Sequence, residues 1–435
     1  MSAAMQTGLD IAVLRAAVLM VPLISVAALW IAVVDKRVRG AAVLGLLWSA
    51  VSLLPINALA VRLDWWSFGT EGLAWSEVPI DVILGWALLW GAVPILLSRW
   101  VNPLPILAVL VTADVLVMGS LEPLVVLKPS WWWGEVLALL VCLLPATALG
   151  MLTASGRALR VRVLLQMVLF AALLLFVIPS AAFEATGQTW AAVLADIGGP
   201  LDSVTIQLIA LLGIVALRAV WDFAVIGGGT PFPWDPPSRL VVSGPYAYVA
   251  NPMQLCAVLI LASAALLIGE LVLLLAALTG VAFSSGLAAW NEKGHLDDRF
   301  GPAWREYRST VRDWIPRWNP TADRASGTLF ASVTCDPCSA VGPWFERRSS
   351  AGLVVAAAEN HPSELRRIRY ESADGRVVAD GTRAVGCALE HLNLGWAMVG
   401  WVMRAPVLAS LIALVTDACG GAPRSIPGRM SESPD

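Results

Sequence analysis

"SGPYAYVANPMQL", residues 243–255, interrupts a chain that is otherwise mostly apolar. Two prolines, two tyrosines and an asparagine stand directly before a hydrophobic run. Together with "PFPWDPPSRLVV" before it, the stretch cannot be a continuous helix. Its prolines and Gly244 force turns and extended pieces. Such backbone at membrane depth is tolerated only where protein or a watery cavity surrounds it. Asn251-Pro252 then predicts a helix start, with asparagine able to cap and proline suited to the first turn.

The runs on either side explain why membrane depth is the right frame. Of 435 residues, 58% are hydrophobic, 14% are charged and 21 are tryptophan. Apolar runs of about 18 to 23 residues are long enough to cross a hydrocarbon core of roughly 30 Å. Nine spans are expected, near 11–33, 41–61, 79–98, 104–119, 133–151, 161–182, 203–220, 253–268 and 270–290. The last two are short and joined at Gly269-Glu270, which reads as a tight hairpin that need not fully cross. A net charge of −3 gives no basic surface for a nucleic-acid partner. No cleavable signal peptide is evident, and no internal repeat is visible. Six scattered cysteines are not a disulfide framework. Cys142 and Cys256 lie in apolar runs, where they pack.

Basic residues orient the spans. One set of loops holds Lys36, Arg37, Arg39, Arg99, Arg157, Arg160, Arg162 and Arg239, and the other holds only Arg62 and Lys128. This predicts a multi-pass protein of the cell membrane with its N-terminus outside and everything after residue 290 in the cytoplasm. Trp65, Trp66, Trp75 and Trp131 to Trp133 then occupy external loops, where indoles favour the interface. Asp114 lies inside a span and is a site candidate, or a partner for a neighbouring helix. Asp81 reads as interfacial. Glu135 reads as a helix-start carboxylate facing the positive end of the dipole. Arg218 reads as a snorkelling side chain.

The exposed N–H groups after Asn251 make a small anion site. Glu292 returns to the same face across the hairpin. An anion-friendly helix start, tyrosines and a carboxylate would suit the zwitterionic head of a large cofactor. They also fit a capped hairpin with an interfacial aromatic belt.

"LVVSGPYAYVANPMQL", a hydrophobic hairpin and "EKGHLDDRFGPAWREYRSTVRDWIP" resemble the isoprenylcysteine carboxyl methyltransferase family and the related phospholipid N-methyltransferases. The likeness runs from Leu240 to Pro316. It implies S-adenosylmethionine bound at the cytoplasmic face and a lipophilic or lipid substrate entering from the bilayer. Carried over by position, Gly244, Pro245, Tyr246, Asn251, Pro252, Glu292 and Tyr307 match the cofactor-binding pattern. The sequence departs from that pattern at Ala250, Gln254, Lys293 and Trp304, and at Asp313, which stands where an arginine is expected. Transfer from a sulfonium needs little acid–base help, so positioning and a dry pocket carry the chemistry.

Beyond "NPTADRASG" the sequence becomes ordinary soluble chain. Cys335-Asp336-Pro337-Cys338 follows a strand-like piece and precedes a helix-like one. That placement lowers the pKa of the first thiol and makes Cys335 the attacking thiolate with Cys338 as resolver. An inert pair and a zinc half-site are the weaker readings: "CALEH" puts Cys387 and His391 on one helix face, without a second close pair. "SVTCDPCSAVGPWFERR", "SADGRVVADGTRAVGCALEHL" and "GWVMRAPVLASLIALVTDACG" resemble the DCC family of thiol-disulfide oxidoreductases. The resemblance implies a thioredoxin-like fold, catalytic Cys335 and Cys338 and a thiol redox partner, and no metal is expected. The family's aspartate before the first cysteine is Ser332 here. Asp374-Gly375 predicts a hairpin turn.

The expected fold class is a polytopic α-helical membrane protein of about nine spans with a small C-terminal α/β thioredoxin-like domain. The expected divisions are 1–220 transmembrane helices, 221–318 methyltransferase-like segment, 319–327 linker, 328–422 CxxC domain and 423–435 disordered tail. The tail from Leu394 to Cys419 is hydrophobic but carries Arg404 and Pro406, and it reads as two packed amphipathic helices, with a tenth span as the alternative. The expected activity is methyl transfer to a lipophilic acceptor with a fused dithiol module. The alternative is a membrane-anchored thiol-disulfide oxidoreductase whose methyltransferase-like region is inactive.

Overall fold

A computed structural model describes residues 3–69, 73–232, 234–283, 286, 296–322, 324–334, 338–348 and 350–424, with backbone alone at 3–10, 283 and 338. Seven of its helices are long and apolar enough to span a membrane. The protein is a mainly helical, multi-pass membrane protein. It divides into two compact units, residues 1–194 with 234–236, and residues 195–233 with 237–435.

The first unit holds six of the spans: α1 (Ala3–Ala32), α2 (Lys36–Arg62), α3 (Ile80–Leu97), α4 (Pro103–Leu121), α5 (Trp131–Ser155) and α6 (Leu159–Thr186). Asp35 caps α2 by accepting from the Arg37 and Val38 amides. Glycines then let three helices touch. A Cβ on Gly45 of α2 would sit 2.4 Å from the Gly91 carbonyl oxygen of α3, and one on Gly150 of α5 would sit 2.0 Å from Ile95 Cδ1. Small residues are the usual contact where lipid offers no hydrophobic drive between helices.

Three of these spans share a device. Leu88–Ala92, Leu139–Leu143 and Leu173–Val177 are π turns, followed two residues on by Pro94, Pro145 and Pro179. A proline inside a helix donates no hydrogen bond and its ring crowds the carbonyl four residues back. Widening the preceding turn relieves both problems. The recurrence was not visible as a sequence repeat.

Two expectations for single residues, Glu135 and Arg218, are corrected, while Asp114 and Asp81 gain named partners. Glu135 is not a helix-start charge: α5 begins at Trp131, and Glu135 lies a full turn inside, buried beside Asp114. Asp114 accepts from Trp86 Nε1 at 3.0 Å, so it pairs with neighbouring helices. Asp81 is tied to Arg15 at 2.5 Å. Arg218 does not snorkel outward: it is half-hidden and binds Asp222 one turn on.

The second unit begins with α7 (Pro200–Val225), the seventh span. Two shorter apolar helices follow, α8 (Pro252–Ile268) and α9 (Leu271–Phe283), joined through Gly269 at φ +78°. They pack closely, as the tight hairpin reading requires. α10 (Pro302–Thr310) carries Tyr307 inward.

The C-terminal part is α/β. Strands β1 (Gly327–Ala331), β2 (Leu353–Ala357), β3 (Arg369–Ser372) and β4 (Val378–Asp380) form one sheet in the order β2-β1-β3-β4. β1 and β2 are parallel, and the other pairs are antiparallel. Gly375 at φ +68° makes the predicted β3–β4 turn. Leu329, Phe345, Tyr370 and Cys387 form the core between the sheet and helices α11 (Val341–Glu346) and α12 (Thr382–Leu389). The tail forms α13 (Leu394–Arg404) and α14 (Pro406–Thr416), separated by a bend of 88°. The bend sits at Pro406, where an α-helix cannot continue unbroken.

Candidate active site

Gly244, Pro245, Tyr246 and Ala247 form one buried 3-10 turn. Gly244 adopts φ +60°, a region that side chains disfavour. A Cβ there would lie 1.9 Å from Asp222 Oδ2, so space as well as torsion requires glycine. Tyr246 packs its ring against Phe223 of α7, 5.9 Å between centroids.

The chain after α10 returns alongside this turn and closes it. Tyr307 Oη donates to the Tyr246 carbonyl at 2.9 Å. The Arg317 amide donates to Tyr248 O at 3.0 Å, and the Thr321 amide to Ala247 O at 2.9 Å. The Ala250 amide in turn donates to Arg312 O at 2.9 Å. These bonds satisfy backbone that no regular element serves. Tyr248 Oη donates to Glu390 O at 2.9 Å, and burial pushes the phenol's pKa up.

Asn251 occupies the position before α8, yet its side chain makes no capping bond. The capping expectation is therefore corrected. Its Nδ2 donates instead to Asp313 Oδ1 at 3.2 Å, and Arg308 grips the same carboxylate at 2.6 Å. Asp313, the residue that departs from the expected arginine, thus orients Asn251. Pro252 opens α8 and is buried. On the first turn, Gln254 Oε1 is buried and has no hydrogen-bond partner among the described residues.

Of the expected cofactor residues, Gly244, Pro245, Tyr246, Asn251, Pro252 and Tyr307 lie in this one buried layer. Glu292 lies outside the described residues, as do Lys293 and His295.

Cys335 also lies outside the described residues, and of Cys338 only the backbone is described, at the start of a 3-10 turn leading into α11. The loop before them is well defined. Ser332 Oγ donates to Glu359 Oε1 at 2.7 Å, Thr334 Oγ1 donates at 2.9 Å and the Val333 amide at 3.1 Å. Partial burial raises the Glu359 pKa, but the Ser332 and Thr334 bonds outweigh it and hold the carboxyl below its usual range. A carboxylate therefore reaches the loop where Ser332 replaced the expected aspartate. No sequence signal singled out Glu359, because it comes from another strand end.

Cys387 and His391 do not face a common open site. Cys387 is buried, which pushes its thiol pKa up. Both ring nitrogens of His391 are engaged, Nε2 with Tyr370 Oη at 2.8 Å and Nδ1 with Ala351 O at 2.6 Å.

Comparison with known proteins adds one finding. Residues 203–303 match the family described as phospholipid methyltransferase. No curated protein and no solved structure matches the chain. The matched range runs from α7 through the 3-10 turn and the hairpin to the entrance of α10.

Proposed function

We propose that the protein is an S-adenosylmethionine-dependent methyltransferase of the membrane, acting on a lipophilic acceptor. The supporting observation is that the family match covers Tyr246, Asn251 and Pro252, which lie in one layer closed by Tyr307 just beyond the match. The residues fit the amino-acid end of that cofactor. The open N–H groups at the start of α8 suit its carboxylate. The orphaned Gln254 Oε1 and the Asp313 carboxylate are acceptors for its ammonium group, beside Glu292 in the sequence pattern. S-adenosylmethionine, when bound, supplies an electrophilic methyl on sulfur. The chain's own residues bind, orient and exclude water. Tyr307 and the irregular segment 311–321 hold the turn by hydrogen bonds, which suits a positioning mechanism. The test is cofactor titration of the purified protein, followed by transfer of labelled methyl to a lipid extract. Absence of binding, together with no effect of Glu292→Ala, would overturn the reading.

The C-terminal part supports a second activity, a dithiol module with Cys335 attacking and Cys338 resolving. The sheet order with one parallel and two antiparallel pairings, and a helix after the first strand, supports a thioredoxin-like reading. Glu359 supplies a carboxylate to the loop at Ser332, where the family pattern expects an aspartate. A Cys335–Cys338 disulfide that forms reversibly near cytosolic potentials is the expected result. Failure to oxidise without unfolding counts against it. Membrane anchoring of this oxidoreductase, with an idle methyl site, is the alternative for the whole chain. The proposed orientation places the N-terminus outside and the CxxC module, from residue 328, in the cytoplasm, following the basic loops.

A further inference from the structure

A second group of charges lies within the same unit, on the far side of Gly244. Arg324 and Arg404 both bind Glu390, Arg324 Nη2 at 3.0 Å and Arg404 Nη1 more closely. Arg218 binds Asp222 on α7. The side chains of Glu390 and Asp222 are each 3% exposed, and that of Arg324 is 5% exposed. These five groups interact with one another. Three guanidiniums thus face two carboxylates away from bulk water. One positive charge is left over, and an uncompensated buried charge is costly.

The cluster opens on a cavity of about 80 Å³. Arg218, Arg324, Arg404 and Glu390 line it, with the Ser243 and Gly244 turn as one wall. Arg376 stands at the rim, 3.6 Å from Asp374 and largely exposed. Arg324 Nε is buried and has no partner among the described residues, although both its Nη atoms are used. A donor, an excess positive charge and room for a few waters or one tetrahedral oxyanion therefore coincide. Guanidinium forks match phosphate oxygens in geometry as well as in charge.

We propose that this cavity binds a phosphate-class oxyanion, held by Arg218, Arg324 and Arg404 with Arg376 at its entrance. The chemistry is shared by a free phosphate and by a lipid phosphate monoester. The apolar Ile226 and Leu240 beside the cavity give an acyl-bearing ligand somewhere to lie. This site needs no methyl donor, so its fate is separate from that of the transferase reading.

The experiment uses the full chain. Its thermal unfolding midpoint is measured in detergent against sodium phosphate and against sodium chloride at matched ionic strength. It is measured again in nanodiscs of phosphatidylcholine with and without phosphatidic acid. A saturable rise with phosphate beyond chloride assigns the site to the free anion. A rise only with phosphatidic acid assigns it to the lipid. A rise in neither overturns the proposal. Arg324→Gln abolishes the rise if it folds. Arg376→Gln, at the exposed rim, is the variant that folds regardless. It weakens the half-saturating concentration several-fold, and an unchanged value overturns the assignment to this cavity.

Discussion

Asn251 Nδ2 lies 3.2 Å from Asp313 Oδ1, so the asparagine is steered by a carboxylate 62 positions away and leaves its own helix uncapped. A hydrogen bond to a charged partner is worth about 1.5–3 kcal/mol net. Asn251→Asp sets two carboxylates against each other and lowers the unfolding midpoint. The exchange Asn251→Asp with Asp313→Asn restores the pairing and most of the stability. Thermal unfolding of the two variants decides the point, and equal losses would show that the contact carries nothing.

Gly244→Ala is expected to be among the most damaging single-atom changes. A positive φ costs an alanine about 1–3 kcal/mol. Here the new Cβ also collides with Asp222, at 1.9 Å. Gly187 provides the control: it too has a positive φ, +73°, but open space around it. Gly187→Ala therefore reports torsion alone. The difference in unfolding midpoint between the two variants measures the collision.

The C-terminal part should weaken on acidification. Burial first, and Arg324 second, hold the His391 pKa down to about 3 from its ordinary 6.5, so the folded ring is neutral. Burial pushes Glu390 up, yet Arg404 and Arg324 overcome it and hold the carboxyl at about 2, against an ordinary 4.5. Both groups bind fewer protons folded than unfolded. Stability is therefore full above pH 6.5 and is lost as pH falls, from 6.5 toward 3 for His391 and from 4.5 toward 2 for Glu390. The combined loss is roughly 3–6 kcal/mol by pH 3. His391→Gln flattens the slope between pH 6 and 4, as chemical denaturation at stepped pH would register. An unchanged slope contradicts the assignment.

Glu359→Gln removes the charge that draws Ser332, Val333 and Thr334 together. The Val333 and Thr334 amides are predicted to exchange with deuterium faster, by about tenfold for each 1.4 kcal/mol of lost local stability. The rest of the sheet keeps its protection. Slow exchange in the variant would mean that backbone geometry alone shapes the loop.

Seven of the nine expected spans were legible because apolar length is a one-dimensional property, and the last two of the nine are helices too short to qualify. The break in the tail was legible too, since Pro406 has no N–H to give and crowds the turn before it. The turn at Gly244 was read from its glycine and prolines, but its reason lay elsewhere, in Asp222 of another helix. The same distinction explains the misreadings. Glu135, Arg218 and Asn251 were given roles from their immediate neighbours in sequence. Glu135 and Asn251 found their partners by packing, Asp114 and Asp313, whereas Arg218 pairs with Asp222 one turn on along its own helix. Glu359 and the Arg324–Glu390–Arg404 group combine residues from separate elements, and no spacing rule announces them.

The bond from Tyr248 Oη to Glu390 O has a mechanical meaning. With Thr321 wholly buried and its amide fixed to Ala247, the stretch that reads as a linker leaves little slack. A domain on a loose tether could swing like a crane arm, but this α/β part is bolted to its base. The same bolts rule out a clean cut. A soluble fragment starting near residue 319 would carry Arg324 and Glu390 into water without Tyr248 above them, and its melting behaviour would not be that of the module in the whole chain.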